Sequence, residues 1–294
     1  MVNTKKNKKN KSTMENEFKK TNCSPSKTIK SYTCYSNHAI YKLKKYWNSR
    51  HPDDLIVTND TQKIWSELKD KMDDVCDKES CWLKQQFIKN NLDIELRNYT
   101  FAPKMPKAWK KNPYEWLSST DIEKVMKQYE HAYPNYAFLG PSPIDFDKKK
   151  LYGQCVWEEL CNFDLKSYIK KNINKIGIIF NTDPHYKDGS HWIALFIDIK
   201  KKIIYYFDST GDKCPKEIIK LVDRIKEQAS HMNIEMKFYQ NHPTEHQEGE
   251  TECGIYTIYF ITELLKNNKE FDYFNKNKIS DESVHVYRKI YFNE

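Results

Sequence analysis

The sequence predicts an α+β fold, with a central mixed or antiparallel sheet packed on both sides by helices. Three observations predict it. A polar stretch over 38–100 has helical spacing; four β-rich runs, KIGIIFNT, HWIALFIDI, KIIYYFDS and IEMKFYQN, crowd into 175–241; and a long apolar helix follows from Cys253 or just after it. The first three runs are consecutive and apolar on both faces, as expected of strands covered by helices above and below.

The elements follow in order. Residues 1–30 hold KKNKKNKS and EFKKTNCSPSKTIK, too polar to offset the entropy of ordering, and read as a mobile basic tail that either touches nucleic acid or only aids solubility. Residues 31–105 read as a helical arm. In TQKIWSELKDKMDDV a stripe of Ile64, Trp65, Leu68, Met72 and Val75 recurs at helical spacing, and SCWLKQQFIKNN reads as a second helix with Trp82 and Phe87 or Ile88 facing a partner. Three prolines in FAPKMPKAWKKNP mark the boundary to a main domain over 106–294. There, Thr120-x-x-Glu123 reads as a capping box for a helix with Ile122, Val125, Met126 and Tyr129 inside, stopped by Pro134. YAFLGPSPIDFD reads as an extended proline-rich loop, CVWEELCNFDLKSYI as short helical pieces, and PKEIIKLVDRIKEQA as a helix between the third and fourth strands.

Composition excludes several classes. The chain has 294 residues, a net charge of +8 and a charged fraction of 31%, and no apolar stretch reaches the ~18 residues of a membrane span. Its eight cysteines form no CxxC pair and follow no signal peptide, which argues against a disulfide framework and for a reducing compartment. No glycine-rich phosphate loop is present, so no nucleotide cofactor is expected. Cys76-x4-Cys81 and Cys155-x5-Cys161 lack zinc partners, and Pro243 breaks the His242-x3-His246 spacing, so no metal is expected either.

Catalytic chemistry gathers around HQEGETECGIYTIYFITELL. Cysteine caps a helix poorly beside Ser, Thr, Asp or Asn, but the amides and dipole of a helix start stabilise a thiolate, bringing an ordinary thiol from about 8.5 into a range of roughly 3.5 to 7.5. Cys253 is therefore either a nucleophile or a small buried hydrophobe. A nucleophile needs a base, an orienter and oxyanion donors. His191 opens one strand and Asp208 closes the next. If the strands pair about Lys200 and Lys201, Leu195 faces Tyr206, Ile197 faces Ile204, and His191 lies diagonally from Asp208, about 7 to 8 Å away. A three-residue turn would undo that register, and Lys-Lys is a poor tight turn. Gln247 could donate to an oxyanion alongside the Cys253 amide, or be an ordinary loop glutamine.

Taken together, GSHWIALFID, YYFDST and QEGETECGIY resemble the catalytic signature of the Ulp1/SENP-type and adenain-type cysteine proteases, in chain order His191, Asp208, Gln247, Cys253. WLSSTDIEKVM resembles that family's entry helix, so the likeness spans about 115–270. FLGPSPIDFD and the helical extension look most like the virion proteases of large cytoplasmic DNA viruses; the third triad position, Asp208, is as in the SUMO proteases, where the swine fever enzyme has asparagine. The resemblance implies a Ulp1-like core over 106–294. It implies Trp116 and Trp192 lining a tunnel that admits only glycine, although both could instead be core aromatics. The implied activity is cleavage after Gly-Gly-type sequences in viral structural polyproteins, in the virion or host cytoplasm. The same chemistry would also release a ubiquitin-like modifier, and a non-catalytic module gripping nucleic acid is the reading from another class.

Overall fold

The computed structural model describes residues 21–25, 32–89 and 93–294. The lysine run over 1–20, and with it the expected nucleic-acid contact of the tail, lies outside the described residues. The described residues divide into two compact units, one of residues 21, 35–89 and 93–97, the other of residues 22–25, 32–34 and 98–294.

The smaller unit holds α1 (Asn37–Arg50), α2 (Thr61–Met72), α3 (Glu79–Trp82), α4 (Gln86–Lys89) and most of α5 (Ile94–Tyr99). Ser36 and Asp60 cap the first two helices by accepting from Ala39 N and Lys63 N. Leu43, Trp47, Ile64, Leu68, Met72, Trp82 and Ile88 are buried, the side of α2 that its spacing predicted. Val75 is a correction: α2 ends at Met72, so the helical stripe stops there and Val75 is exposed. SCWLKQQFIKNN is likewise two four-residue helices rather than one.

In the larger unit, residues within the span read as a tail are tied down. Ser24 donates to Thr100 O and Ala102 donates to Asn22 O. The helix α6 (Ser119–Ala132) has its box two residues earlier than the sequence reading: Ser118 accepts from Asp121 N, and the Asp121 carboxylate accepts from Ser118 N. Thr120 and Glu123 are simply within the helix, while Ile122, Val125, Met126 and Tyr129 are buried as expected.

Five strands form one mixed sheet in sequence order: β1 (Tyr136–Pro143), β2 (Lys175–Asn181), β3 (Trp192–Asp198), β4 (Ile203–Phe207) and β5 (Lys237–Gln240). The outer pairs are parallel and the two inner pairs antiparallel. β1 corrects the expectation of a loop over 136–147. Its prolines are tolerated because it is an edge strand, whose outer donors have no ladder partner, and its register shifts between Leu139 and Ser142 around Gly140-Pro141. Between β1 and β2 lie α7 (Glu158–Cys161) and α8 (Leu165–Lys170); α9 (Lys216–Ser230) joins β4 to β5; and α10 (Cys253–Leu265), α11 (Tyr273–Lys276), α12 (Asp281–His285) and α13 (Arg288–Tyr291) complete the chain.

Period-2 alternation divides the core. Trp192, Ala194, Phe196, Tyr205 and Phe207 point to the face covered by α6 and α10, while Ile193, Leu195, Ile197, Ile204 and Tyr206 point to the face covered by α8 and α9. Every residue of α10 is buried, which explains its apolar composition all round. Leu195 pairs with Tyr206 and Ile197 with Ile204, the register on which the site reading depended. The turn is wider than Lys-Lys alone: Asp198 pairs with Ile203, and Lys202 takes the left-handed conformation at φ 58°.

The cysteines are a second correction. Cys23–Cys34, Cys76–Cys81 and Cys155–Cys161 are disulfides, leaving Cys214 and Cys253 free. The pairs close short local loops of 11, 5 and 6 residues, a pattern that a search for paired motifs does not register. Among the described residues no helix is long and apolar enough to cross a membrane.

Candidate active site

Cys253 is the first residue of α10 and is 1% exposed. The apolar run after it forces the helix into the core, so its N-terminus and dipole end directly under the edge of the sheet where β3 begins and β4 ends. His191 stands immediately before β3 and Asp208 immediately after β4. The antiparallel register brings them together, and His191 Nε2 lies 2.7 Å from Asp208 Oδ1. That contact leaves Nδ1 as the ring nitrogen available to a sulfur.

Asp208 is held from several sides. Its Oδ1 accepts from Thr210 N at 2.9 Å and Thr210 Oγ1 at 2.8 Å, and Tyr206 donates its hydroxyl to Oδ2. Its main chain exchanges two bonds with the carboxamide of Asn241, at 2.9 and 2.7 Å. Burial works to raise the Asp208 carboxyl, but His191 and the Thr210 donors outweigh it and hold it below the ordinary 3.8. Burial also lowers His191, yet Asp208 and the Cys253 sulfur reverse that and push it up to about 10. The imidazole is therefore a cation at neutral pH, flanked by a carboxylate and the Cys253 sulfur.

Gln247 is 4% exposed in the same loop cluster. Its Oε1 accepts from Ser209 Oγ at 2.8 Å, its Nε2 donates to Gly249 O at 2.7 Å, and its own N–H donates to Ser209 O. One proton of its Nε2 stays free for a second acceptor. Because Ser209 follows Asp208 directly, the fold couples the glutamine to the imidazole's orienter.

Trp192 and Trp116 differ. Trp192 is 7% exposed and donates Nε1 to Leu117 O at 3.0 Å, whereas Trp116 is 37% exposed. Both line an open groove of about 640 Å3, together with Pro141, Trp157, His185 and Gly189. Cys253 and His191 are not in its lining. The groove comes within one residue of the cysteine through Gly254, where an added Cβ would meet Leu117 Cβ at 3.1 Å and Trp192 Cδ1 at 3.3 Å.

The structure thus brings His191, Asp208 and Cys253 into one cluster, seats Gln247 beside Asp208, and puts both tryptophans on one groove. Sequence reasoning missed Thr210 and Asn241 behind the aspartate and Trp157 and His185 on the groove. Asn241 is the last residue of a predicted strand run with nothing to mark it, and Trp157 sits in a stretch read only as helical. Among the described residues no group of His, Cys, Asp and Glu could hold a metal.

Comparison with known proteins agrees with this geometry. Residues 163–294, which contain His191, Asp208, Gln247 and Cys253, match the model of the Ulp1 protease family, C-terminal catalytic domain. A thiol protease of Acanthamoeba polyphaga mimivirus is 27% identical over 263 residues, covering 90% of this chain and 85% of its own. A cysteine protease of African swine fever virus, isolate Tick/Malawi/Lil 20-1/1983, is 27% identical over 246 residues, covering 77% of this chain and 86% of its own. The crystal structure of the African swine fever virus protease superposes with a TM-score of 0.69 at 23% identity, covering 92% of this chain and 95% of that one, so the two share a fold.

Proposed function

We propose that the chain is a Ulp1-like cysteine peptidase that cleaves after Gly-Gly-type sequences in viral structural polyproteins: residues 163–294 match the Ulp1 protease family model, and relatives matched over most of the chain are thiol and cysteine proteases. The setting is the virion and the host cytoplasm in which particles mature. The observation that carries this reading is the hydrogen bond between His191 and Asp208 beside a cysteine at a buried helix start, with Gly254 after it packed against Leu117 and Trp192 of the groove that the two tryptophans wall.

The thiolate of Cys253 attacks the scissile carbonyl carbon, forming a C–S bond and placing negative charge on the oxygen. The Cys253 N–H and the free Nε2 proton of Gln247 stabilise that oxygen. As the C–N bond breaks, the His191 imidazolium passes its proton to the leaving amine. The imidazole then takes a proton from water, whose oxygen attacks the thioester; the acid product leaves and the thiolate returns with its imidazolium. His191, charged at rest, first donates its proton to the leaving amine and then serves as the base for water. Asp208 keeps Nε2 engaged so that Nδ1 faces the sulfur. Walls at Trp116, Trp192 and Leu117 favour residues without side chains next to the cut.

The test is to incubate the protein with virion precursor proteins and with modifier fusions ending in Gly-Gly, and to map the new N-termini. Precursor cleavage after Gly-Gly-type sites, lost in Cys253→Ala, supports the reading; cleavage confined to the fusions assigns the enzyme to modifier release instead. Full activity in Cys253→Ala overturns both.

A further inference from the structure

We infer that Arg288 is a positioning residue for the reaction at Cys253, tying the peptide that leads into the nucleophile to the segment that carries Trp116. The inference rests on Cys253 being the nucleophile. Arg288 is 3% exposed, and each of its three guanidinium nitrogens donates a hydrogen bond. Nε donates to both carboxylate oxygens of Glu252 at 3.0 and 2.9 Å, Nη1 donates to Glu115 O at 2.7 Å, and Nη2 donates to Thr251 O at 3.2 Å. The group also lies 4.4 Å over the ring of Trp109.

Two parts of the site meet on this one fork. Glu252 is the residue before Cys253 and does not cap α10 with its own side chain; its carboxylate turns instead to Arg288 and to Nδ1 of His285 at 3.0 Å. With Thr251 O also held, the direction of the Cys253 N–H is set from two residues upstream. On the other side, Glu115 O accepts from Arg288 and from Trp109 Nε1 at 2.9 Å, while Leu117 O accepts from Trp192 Nε1. Trp116 is therefore pinned at both neighbours, and one of the two pins is Arg288. A buried ion pair adds little to stability over a well-packed apolar replacement, so the arrangement accounts for geometry better than for folding. It also accounts for charge: an unpaired Glu252 carboxylate beside Cys253 would oppose its thiolate, and Arg288 cancels it.

The experiment uses the full chain with a Gly-Gly reporter peptide, thermal unfolding, and the pH profile of iodoacetamide alkylation. Of the two free thiols, Cys214 is pushed up to about 12 by burial, so alkylation near neutral pH reports Cys253. R288K keeps the charge and loses the fork; kcat is expected to fall about 10-fold or more with a several-fold rise in KM, as misplacement of reacting groups does. R288M is expected to move the alkylation midpoint to higher pH, and adding E252Q to R288M to bring the midpoint back while kcat stays low. A folded R288K with parental kcat and KM, or a folded R288M with the parental alkylation profile, overturns the inference. Should R288M not fold, E252Q alone decides, with lowered kcat supporting the inference and parental kcat overturning it. The alkylation arm needs no substrate, so a wrong substrate assignment leaves it intact, whereas an inert thiol at 253 removes the nucleophile reading itself.

Discussion

His191 Nε2 and Asp208 Oδ1 lie 2.7 Å apart, with the imidazole 20% and the carboxylate 4% exposed. The pair bridges the ends of two adjacent strands, and its other side faces Cys253. The contact thus fixes which ring nitrogen meets the sulfur and, together with the Cys253 sulfur, keeps the ring charged up to about pH 10.

Removing the carboxylate should therefore move a pH limb as well as lower a rate. The leaving amine needs the imidazolium, so activity declines on the alkaline side as His191 loses its proton. Asp208→Ala lowers that titration, and the alkaline limb of kcat/KM is expected to move down by about one unit or more, with kcat reduced roughly 100-fold. A kcat/KM profile whose alkaline limb stays in place would remove Asp208 from the role of orienter.

The same pair makes stability depend on pH in two directions. His191 is raised from 6.5 to about 10 on folding, so its contribution is complete below pH 6.5 and fades as pH climbs towards 10. Asp208 is held below 3.8, so its contribution is present above 3.8 and is lost as pH falls through the lower native value. Thermal unfolding across pH 3 to 10 should show stability falling at both ends. His191→Gln should flatten the alkaline decline; an unchanged slope in that variant would show that other groups cause it.

Gly254→Ala tests how tightly the groove floor is built. In an open helix the change to alanine is worth up to about 1 kcal/mol in stability. Here the new methyl meets Leu117 and Trp192 at 3.1 to 3.3 Å, and Trp192 is locked to Leu117 O by its indole. Overpacking at such a site costs about 1 to 3 kcal/mol, so a lower melting temperature and a raised KM are expected. A stabilised, fully active variant would mean that the two side chains yield freely.

The core of the site was legible because period and register carry it. Alternation in HWIALFIDI and KIIYYFDS fixed which faces are shared, and pairing centred on Lys200 and Lys201 placed His191 by Asp208 even though the turn proved wider. Cys253 was legible from its place before an apolar helix. What escaped is what depends on long-range contact alone. Arg288 lies 36 residues from Glu252 and 173 from Glu115, and no local pattern marks an arginine in a four-residue helix as buried. YAFLGPSPIDFD misled for the opposite reason: its prolines argue locally against a strand, and only its place at the sheet edge makes them acceptable. The capping box slipped by two residues because Ser118, Ser119 and Thr120 all suit the first position, and tertiary packing chose among them.

Trp116 offers a test of selectivity separable from folding. It is 37% exposed and lies between two pinned carbonyls, so shortening its side chain leaves Glu115 and Leu117 held by Trp109, Arg288 and Trp192. Trp116→Ala should therefore unfold within a few degrees of the parent, since surface truncations rarely exceed about 0.5 kcal/mol. Its effect belongs to the groove. KM for a Gly-Gly peptide is expected to rise about 10-fold with kcat changed much less, as follows when contacts made equally in ground and transition states are lost. The wall that excludes a Cβ would also be gone, so the ratio of kcat/KM for Gly-Gly over Gly-Ala peptides should shrink. Steady-state kinetics on the two peptides decide it: an unchanged ratio would mean that Trp192 and Leu117 set the selectivity and that Trp116 only shields the groove from water.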